Sequence, residues 1–224
     1  MRLLVCLIAA VEFGLHANPV LAQSGDQAAL SIKVSGREIG QENFLIRPAR
    51  PGRPVGDSLI SVARYPETRP QATLQGVLQL STTGEPLTLS LDYQNLHQPE
   101  TILASVSRNR VTLRRVARGA ESARELQGGD PVVLLDDSLF ATFLPLARLA
   151  GDRPRTVTAI FPRTAQRAIL SLTRTAVGST RPDGAVTIIE IDGDRSGRLY
   201  LDAAGRFVRL EIPSRHLEVS RQPQ

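Results

Sequence analysis

Residues 72–94, Ala-Thr-Leu-Gln-Gly-Val-Leu-Gln-Leu-Ser-Thr-Thr-Gly-Glu-Pro-Leu-Thr-Leu-Ser-Leu-Asp-Tyr-Gln, decide the fold class. Leu74, Leu78 and Leu80 share one face, with Gly76 among them. After Gly84-Glu85-Pro86, Leu87, Leu89, Leu91 and Tyr93 line one face against Thr88, Ser90, Asp92 and Gln94. A period of two is the signature of a half-buried strand, and two such runs about a Gly/Pro turn predict a β-hairpin.

The alternation continues in both directions. Toward the N-terminus, Leu30, Ile32 and Val34 oppose Ser31 and Lys33, Ile39 to Arg47 reads as a second strand, and Ser58 to Tyr65 as a third. Between the last two, Pro48 to Gly56 carries three prolines and two glycines, which no ladder absorbs, so it reads as a surface loop. Beyond the hairpin, Ile102–Ser107 and Arg110–Ala117 pair about Arg108-Asn109, and Ser122–Leu126 adds a short run. Arg115 falls on the face of Val111 and Leu113, which predicts a bulge near Arg114-Arg115, in preference to an arginine facing a wet cavity.

One segment breaks the pattern. Asp136-Asp137-Ser138 offers N-cap side chains, and Leu139 to Ala150 is apolar on nearly every side until Gly151. It reads as a helix over about 137–150, capped by the acids, with Pro145 kinking it or splitting it into two short turns. A helix this apolar has to lie buried against a sheet or cover a groove. Strands then resume from Arg155, turning at Asp183-Gly184, Asp192-Gly193-Asp194 and Ala204-Gly205. Short connections imply an antiparallel meander. The expected architecture is mainly β: a single curved antiparallel sheet or incomplete barrel of about ten strands with one buried helix.

The N-terminus reads as a targeting segment. Met1-Arg2 is a basic start, Leu3 to Val11 is apolar, and Val20-Leu21-Ala22 places small residues where a signal peptidase cuts. Residues 1–22 are therefore expected to be a signal peptide and 23–224 a single β-rich domain, periplasmic or secreted. Cleavage after Ala22 removes Cys6 and Met1, the chain's one cysteine and one methionine, which excludes disulfides, thiolate metal sites and cysteine catalysis from the mature chain. No run reaches the roughly 18 apolar residues of a spanning helix, so no transmembrane segment is expected in the mature chain.

The net charge is +5, and Lys33 is the only lysine among 27 basic residues. The arginines are dispersed, Arg114-Arg115 and Arg118 being the densest group, and no aromatics interleave with them, so nucleic acid is not the expected partner. The apolar segment and these arginines suggest a hydrophobic or anionic lipid ligand, contacted by Leu139, Phe140, Phe143, Leu144, Arg114 and Arg115. An enzyme is not expected. The mature chain holds only His97 and His216, no Gly-x-Ser-x-Gly elbow and no His-x-x-x-His pair, and no cofactor is implied. Asp192, Asp194 and Ser196 match the start of a calcium loop, with Gly197 at its sixth place, but Ala203 stands where the bidentate glutamate belongs. Calcium binding and a plain Gly/Asp turn both remain open.

The order of elements closes on Leu199-Tyr200-Leu201-Asp202-Ala203-Ala204-Gly205-Arg206-Phe207-Val208-Arg209-Leu210-Glu211-Ile212-Pro213. With the Asp-Asp-led helix, this strand, Asp-x-x-Gly-Arg turn and strand resembles exported bacterial proteins of the DUF3108/DUF6134 class and, through them, the LolA/LppX lipoprotein-carrier fold. The resemblance implies a curved antiparallel sheet wrapped partly around a helix, with space between them that takes acyl chains in the carriers. The function expected is a non-enzymatic periplasmic protein that binds or carries a hydrophobic ligand. The alternative is a structural or interaction protein of the envelope with a fully packed core.

Overall fold

The computed structural model describes residues 25–50, 52, 55–66, 68, 71–95, 99–177 and 183–223. The expected signal peptide, His97 and part of the Pro48–Gly56 loop lie outside the described residues. Among the described residues fifteen strands form one sheet. The first arm is β1 (Gln27–Val34), β2 (Arg37–Arg47), β3 (Val55–Tyr65), β4 (Ala72–Ser81), β5 (Pro86–Asn95), β6 (Glu100–Ser107), β7 (Arg110–Ala117) and β8 (Ala120–Gln127). The second is β9 (Val132–Leu134), β10 (Arg155–Phe161), β11 (Gln166–Ala176), β12 (Thr187–Gly193), β13 (Gly197–Leu201), β14 (Phe207–Ile212) and β15 (Leu217–Arg221).

The first and last strands meet in mid-sheet, where β1 pairs antiparallel with β15 (Ile32 opposite Val219), and the two arms run outward from this seam. Every neighbouring pair is antiparallel except β9 and β10, which are parallel because residues 135–154 cross from the end of one to the start of the other. Tight connections enforce the meander. Ser35-Gly36 and Arg118-Gly119 both hold positive φ at each central residue, the geometry of a two-residue hairpin turn that matches the strands' own twist. The sheet curls until β9 lies against β5 without hydrogen-bonding to it, and β6–β8 continue past this seam. Among the described residues no helix is long and apolar enough to cross a membrane.

The mainly β fold and the single curled sheet agree with the alternation; the strand count does not. Fifteen strands form, not about ten. Val132-Val133-Leu134 is one that the alternation does not disclose, because it is buried on both sides and has no period to detect. The bulge near Arg114-Arg115 is absent. β6 and β7 pair without a register shift, Ile102 opposite Arg115 and Leu103 opposite Arg114. Arg115 keeps its parity, and relief comes from position: near the strand's end its half-exposed side chain pairs with Glu100 at 2.7 Å.

In place of a helix over 137–150 there are two short turns, the split at Pro145 being one of the two outcomes expected. Phe140–Phe143 forms one 3₁₀ turn and Leu146–Leu149 one α-helical turn, α1, and Pro145 separates them, as its missing N–H requires. This insert lies inside the curl. Leu139, Phe140, Ala141 and Leu146 are each at most 1% exposed and belong to the core formed by the strands' inner faces. At Gly76 of β4 a Cβ would stand 2.6 Å from Leu139 Cδ1, so the glycine's lack of a side chain lets the insert seat against the sheet.

Candidate functional site

The insert is fastened to both arms by polar groups, and its acidic head has a role other than capping. Asp136 is buried with its carboxylate on Arg163, which follows β10: Nε to Oδ2 is 3.1 Å and Nη2 to Oδ1 is 3.3 Å. The same carboxylate accepts the Ser138 N–H at 2.8 Å, and Arg163 donates to Ser138 Oγ at 2.8 Å. Burial pushes the Asp136 carboxyl upward; Arg163 opposes that shift without cancelling it. The guanidinium is itself held above its ordinary value because Asp136 outweighs the effect of its burial.

Capping comes from Glu42, 98 residues earlier in the chain. Its fully buried carboxylate accepts the backbone N–H of Phe140 at 2.7 Å and of Ala141 at 3.0 Å, and the Ser61 hydroxyl at 2.5 Å. Neither the 3₁₀ turn nor α1 has a side-chain cap of its own. Burial raises the Glu42 carboxyl to about 7 despite these donors. Tyr65 of β3 completes the latch, donating from its hydroxyl to the Ser138 carbonyl at 2.6 Å. That hydroxyl is pushed well upward by burial, with Glu42 and Asp136 adding to the shift.

Asp137 points to a different place, the mouth of a cavity of about 640 Å³ at the end of the second arm. Its floor is Leu135 and Phe143 from the insert and Phe161, Leu170, Ile191 and Ile212 from the strands. At the mouth Asp137 Oδ1 receives Arg195 Nη1 at 2.7 Å and Arg215 Nη1 at 3.3 Å. Arg195 also donates to Gln166 Oε1 at 2.7 Å and lies 4.3 Å above the Phe161 ring centroid, a cation–π arrangement that holds the guanidinium over the apolar floor. Arg167 of β11 is exposed and alternates with the buried Ala168, so its side chain lies on the outer face of the strand. The turn Asp194-Arg195-Ser196 closes the wall.

The residues expected from sequence separate into three places. Leu139, Phe140, Phe143 and Leu144 are all buried in the core, and of these Phe143 also contributes to the cavity lining. Arg114 and Arg115 lie on β7, away from the cavity lining: Arg114 pairs with Glu121 at 2.5 Å, and Arg115 pairs with Glu100 and reaches the Arg163 carbonyl. Asp136 and Asp137 were expected to cap the helix, but the first turn begins later, at Phe140, and both carboxylates are drawn to arginines instead. In the calcium-like stretch, the Asp194 carboxylate accepts the Ile169 N–H at 2.7 Å and Arg195 turns toward Asp137, the arrangement of a structural hairpin turn. Glu42, Arg195 and Arg215 escaped the sequence reading as site residues. For Glu42 a signal exists: it alternates with Gly40 and Phe44, both buried, so its parity points it inward.

No protein-family model matches the chain, and no curated protein sequence matches it. Among solved structures, the chain is similar to a β-barrel-like protein of a domain of unknown function, DUF1849, from Brucella abortus. The TM-score is 0.57 at 9% identity, over 89% of this chain and 95% of that one. At that identity the likeness shows the fold alone: a β-rich, barrel-like sheet. The neighbour is a DUF1849 protein, so the likeness bears out a β-rich fold and does not bear out the DUF3108/DUF6134 class or a LolA-like fold specifically.

Proposed function

We propose that the protein is an exported, non-enzymatic binder of a hydrophobic ligand in the periplasm, comparable in manner to the LolA/LppX carriers, and that the ligand occupies the cavity between the insert and β10–β14. The observation that carries this reading is the cavity itself. About 640 Å³ with six apolar side chains in its lining exceeds the roughly 300 Å³ that ligand sites need. Residues 1–22 support export through their basic, apolar and small-residue order. A binding role is favoured over catalysis because the lining contains neither histidine nor cysteine, and Asp137 and Asp194 are both engaged in structural bonds.

Native mass spectrometry of protein taken from its own periplasm, before and after organic extraction, tests the reading. A discrete adduct of lipid size that extraction removes is the expected result. A bare mass for residues 23–224, unchanged by extraction, would overturn it in favour of an envelope-interaction role.

A further inference from the structure

The insert is tied to the two arms in different ways. Its ends belong to the second arm: the Leu135 N–H donates to the Ile160 carbonyl at 3.0 Å, and the Gly151 carbonyl accepts the Arg174 N–H at 2.7 Å. Asp136, on Arg163, fastens the head to the same arm. Between these ends the segment reaches across the curl to the first arm. Glu42 holds the N–H groups of Phe140 and Ala141, Tyr65 holds the Ser138 carbonyl, and Arg148 pairs with Asp57 at 2.5 Å. A segment anchored at both ends to one arm and fastened in its middle to the other can lift only about its ends.

Among the fastenings to the first arm, Glu42 carries a charge with no countercharge. Its carboxylate is fully buried, and among the described residues it meets only the two N–H groups and the Ser61 hydroxyl. The charged and titratable groups packed around it bring no relief. Asp136 has the same sign, Arg163 is committed to Asp136, and the Tyr65 hydroxyl donates to Ser138 and is pushed well upward, so it stays neutral. When Glu42 takes a proton, the two amides can still only donate, and the Ser61 hydroxyl is the partner able to turn and accept. Both forms fit the closed joint, but the ionised one keeps an uncompensated charge out of water.

We infer that Glu42 is a proton-operated latch: protonated, it locks the middle of the insert to the first arm, and ionised, it lets that segment lift about its ends at Leu135 and Gly151. Leu135, Asp137 and Phe143 of the insert line the cavity, so the latch also governs access to it. That consequence rests on the cavity reading above; the latch itself does not. Linkage sets the direction. The closed joint holds the proton of Glu42 to about 7, whereas a lifted insert leaves the carboxyl in water at its ordinary 4.5. Opening therefore rises about tenfold per pH unit between about 5 and 7 and levels off above that.

Residue-resolved hydrogen exchange on the intact protein from about pH 5 to 8, expressed as protection factors so that the intrinsic pH dependence is divided out, tests the latch. The Phe140 and Ala141 amides should lose about tenfold in protection per pH unit up to about 7 and then level off, while the amides of the β1–β15 seam keep theirs. Glu42→Gln should remove most of that trend. Tyr65→Phe weakens the same joint through a group that stays neutral, so it should lower the protection of the insert at every pH and leave the slope unchanged. A flat profile at Phe140 and Ala141 would overturn the latch, as would an equal fall in the seam amides, which would mark whole-molecule unfolding. A slope that survives in Glu42→Gln would pass the effect to Asp136 and overturn it likewise. None of these outcomes depends on a bound ligand, so the adduct measurement above stands or falls separately.

Discussion

Arginine–carboxylate pairs occur in two regions of this molecule, and they work differently. Around the insert, Asp136 has a side chain only 2% exposed and shares its Arg163 partner with Ser138, while Glu42, Ser61 and Tyr65 hold the following turn. On the β7–β8 ribbon, Arg110 meets Glu125 with side chains 70% and 61% exposed, and Arg114 meets Glu121 in similar solvent. The pair chemistry is the same, and burial decides its worth. A carboxylate taken out of water has to be satisfied by several donors, so the inner set fixes one conformation of the insert; the outer set is solvated with or without its partner. β8 shows the consequence, since nearly all of its residues are exposed and it lies at the sheet's edge. Its charges suit an edge strand, where they discourage pairing with other chains.

The contrast can be broken most severely at its inner pole. Asp136→Ala strands a largely buried guanidinium and should cost about 3–5 kcal/mol in urea unfolding. Glu42→Ala leaves two buried N–H groups without an acceptor and belongs in the same range, at about 2–5 kcal/mol. A loss below about 1 kcal/mol in both variants would show that the insert does not depend on this network.

The inner pole should also respond to pH. The folded protein holds Glu42's proton to about 7, above the ordinary carboxylate value of 4.5 that applies when unfolded. Its contribution to stability is therefore complete below about 4.5 and is lost as pH rises through about 7, a fall of roughly 3 kcal/mol at most. Asp136, also raised, acts in the same direction. Thermal melts across this window should show the decline, and Glu42→Gln should flatten most of it; an unchanged slope in that variant would assign the effect elsewhere.

A packing test is smaller. Gly76→Ala presses a Cβ toward Leu139 Cδ1 and should cost about 1–3 kcal/mol. Leu139→Ala alone opens a cavity, and the double variant should be less destabilised than the sum of the two changes, which a double-mutant cycle reads directly. Smallest of all, Arg110→Ala and Arg114→Ala on the ribbon should each change stability by under about 1 kcal/mol, with the difference vanishing at high salt.

Much of the sheet was legible because burial on one face imprints a period of two, clearest at residues 72–94, and because turn pairs such as Arg108-Asn109 identify hairpins locally. Pro145's division of the insert was legible for the same local reason. The strand count was not: Val132–Leu134 is buried on both sides and carries no period. The site was the least legible part. Phe143 belongs to an apolar run visible in sequence, but Arg195 and Arg215 are ordinary members of a dispersed set until the β12–β13 turn and the turn after β14 bring them to Asp137.

By itself, then, the sequence determined the β class, the hairpins, the buried character of 139–150 and its break at Pro145, all properties of neighbouring residues and their periodicity. Only the tertiary structure decided which carboxylate caps the insert, which arginines share Asp137, and where the cavity opens. Those pairings join residues as far apart as Glu42 and Phe140, and local patterns carry no record of contacts that form only when two arms of one sheet curl around the same segment.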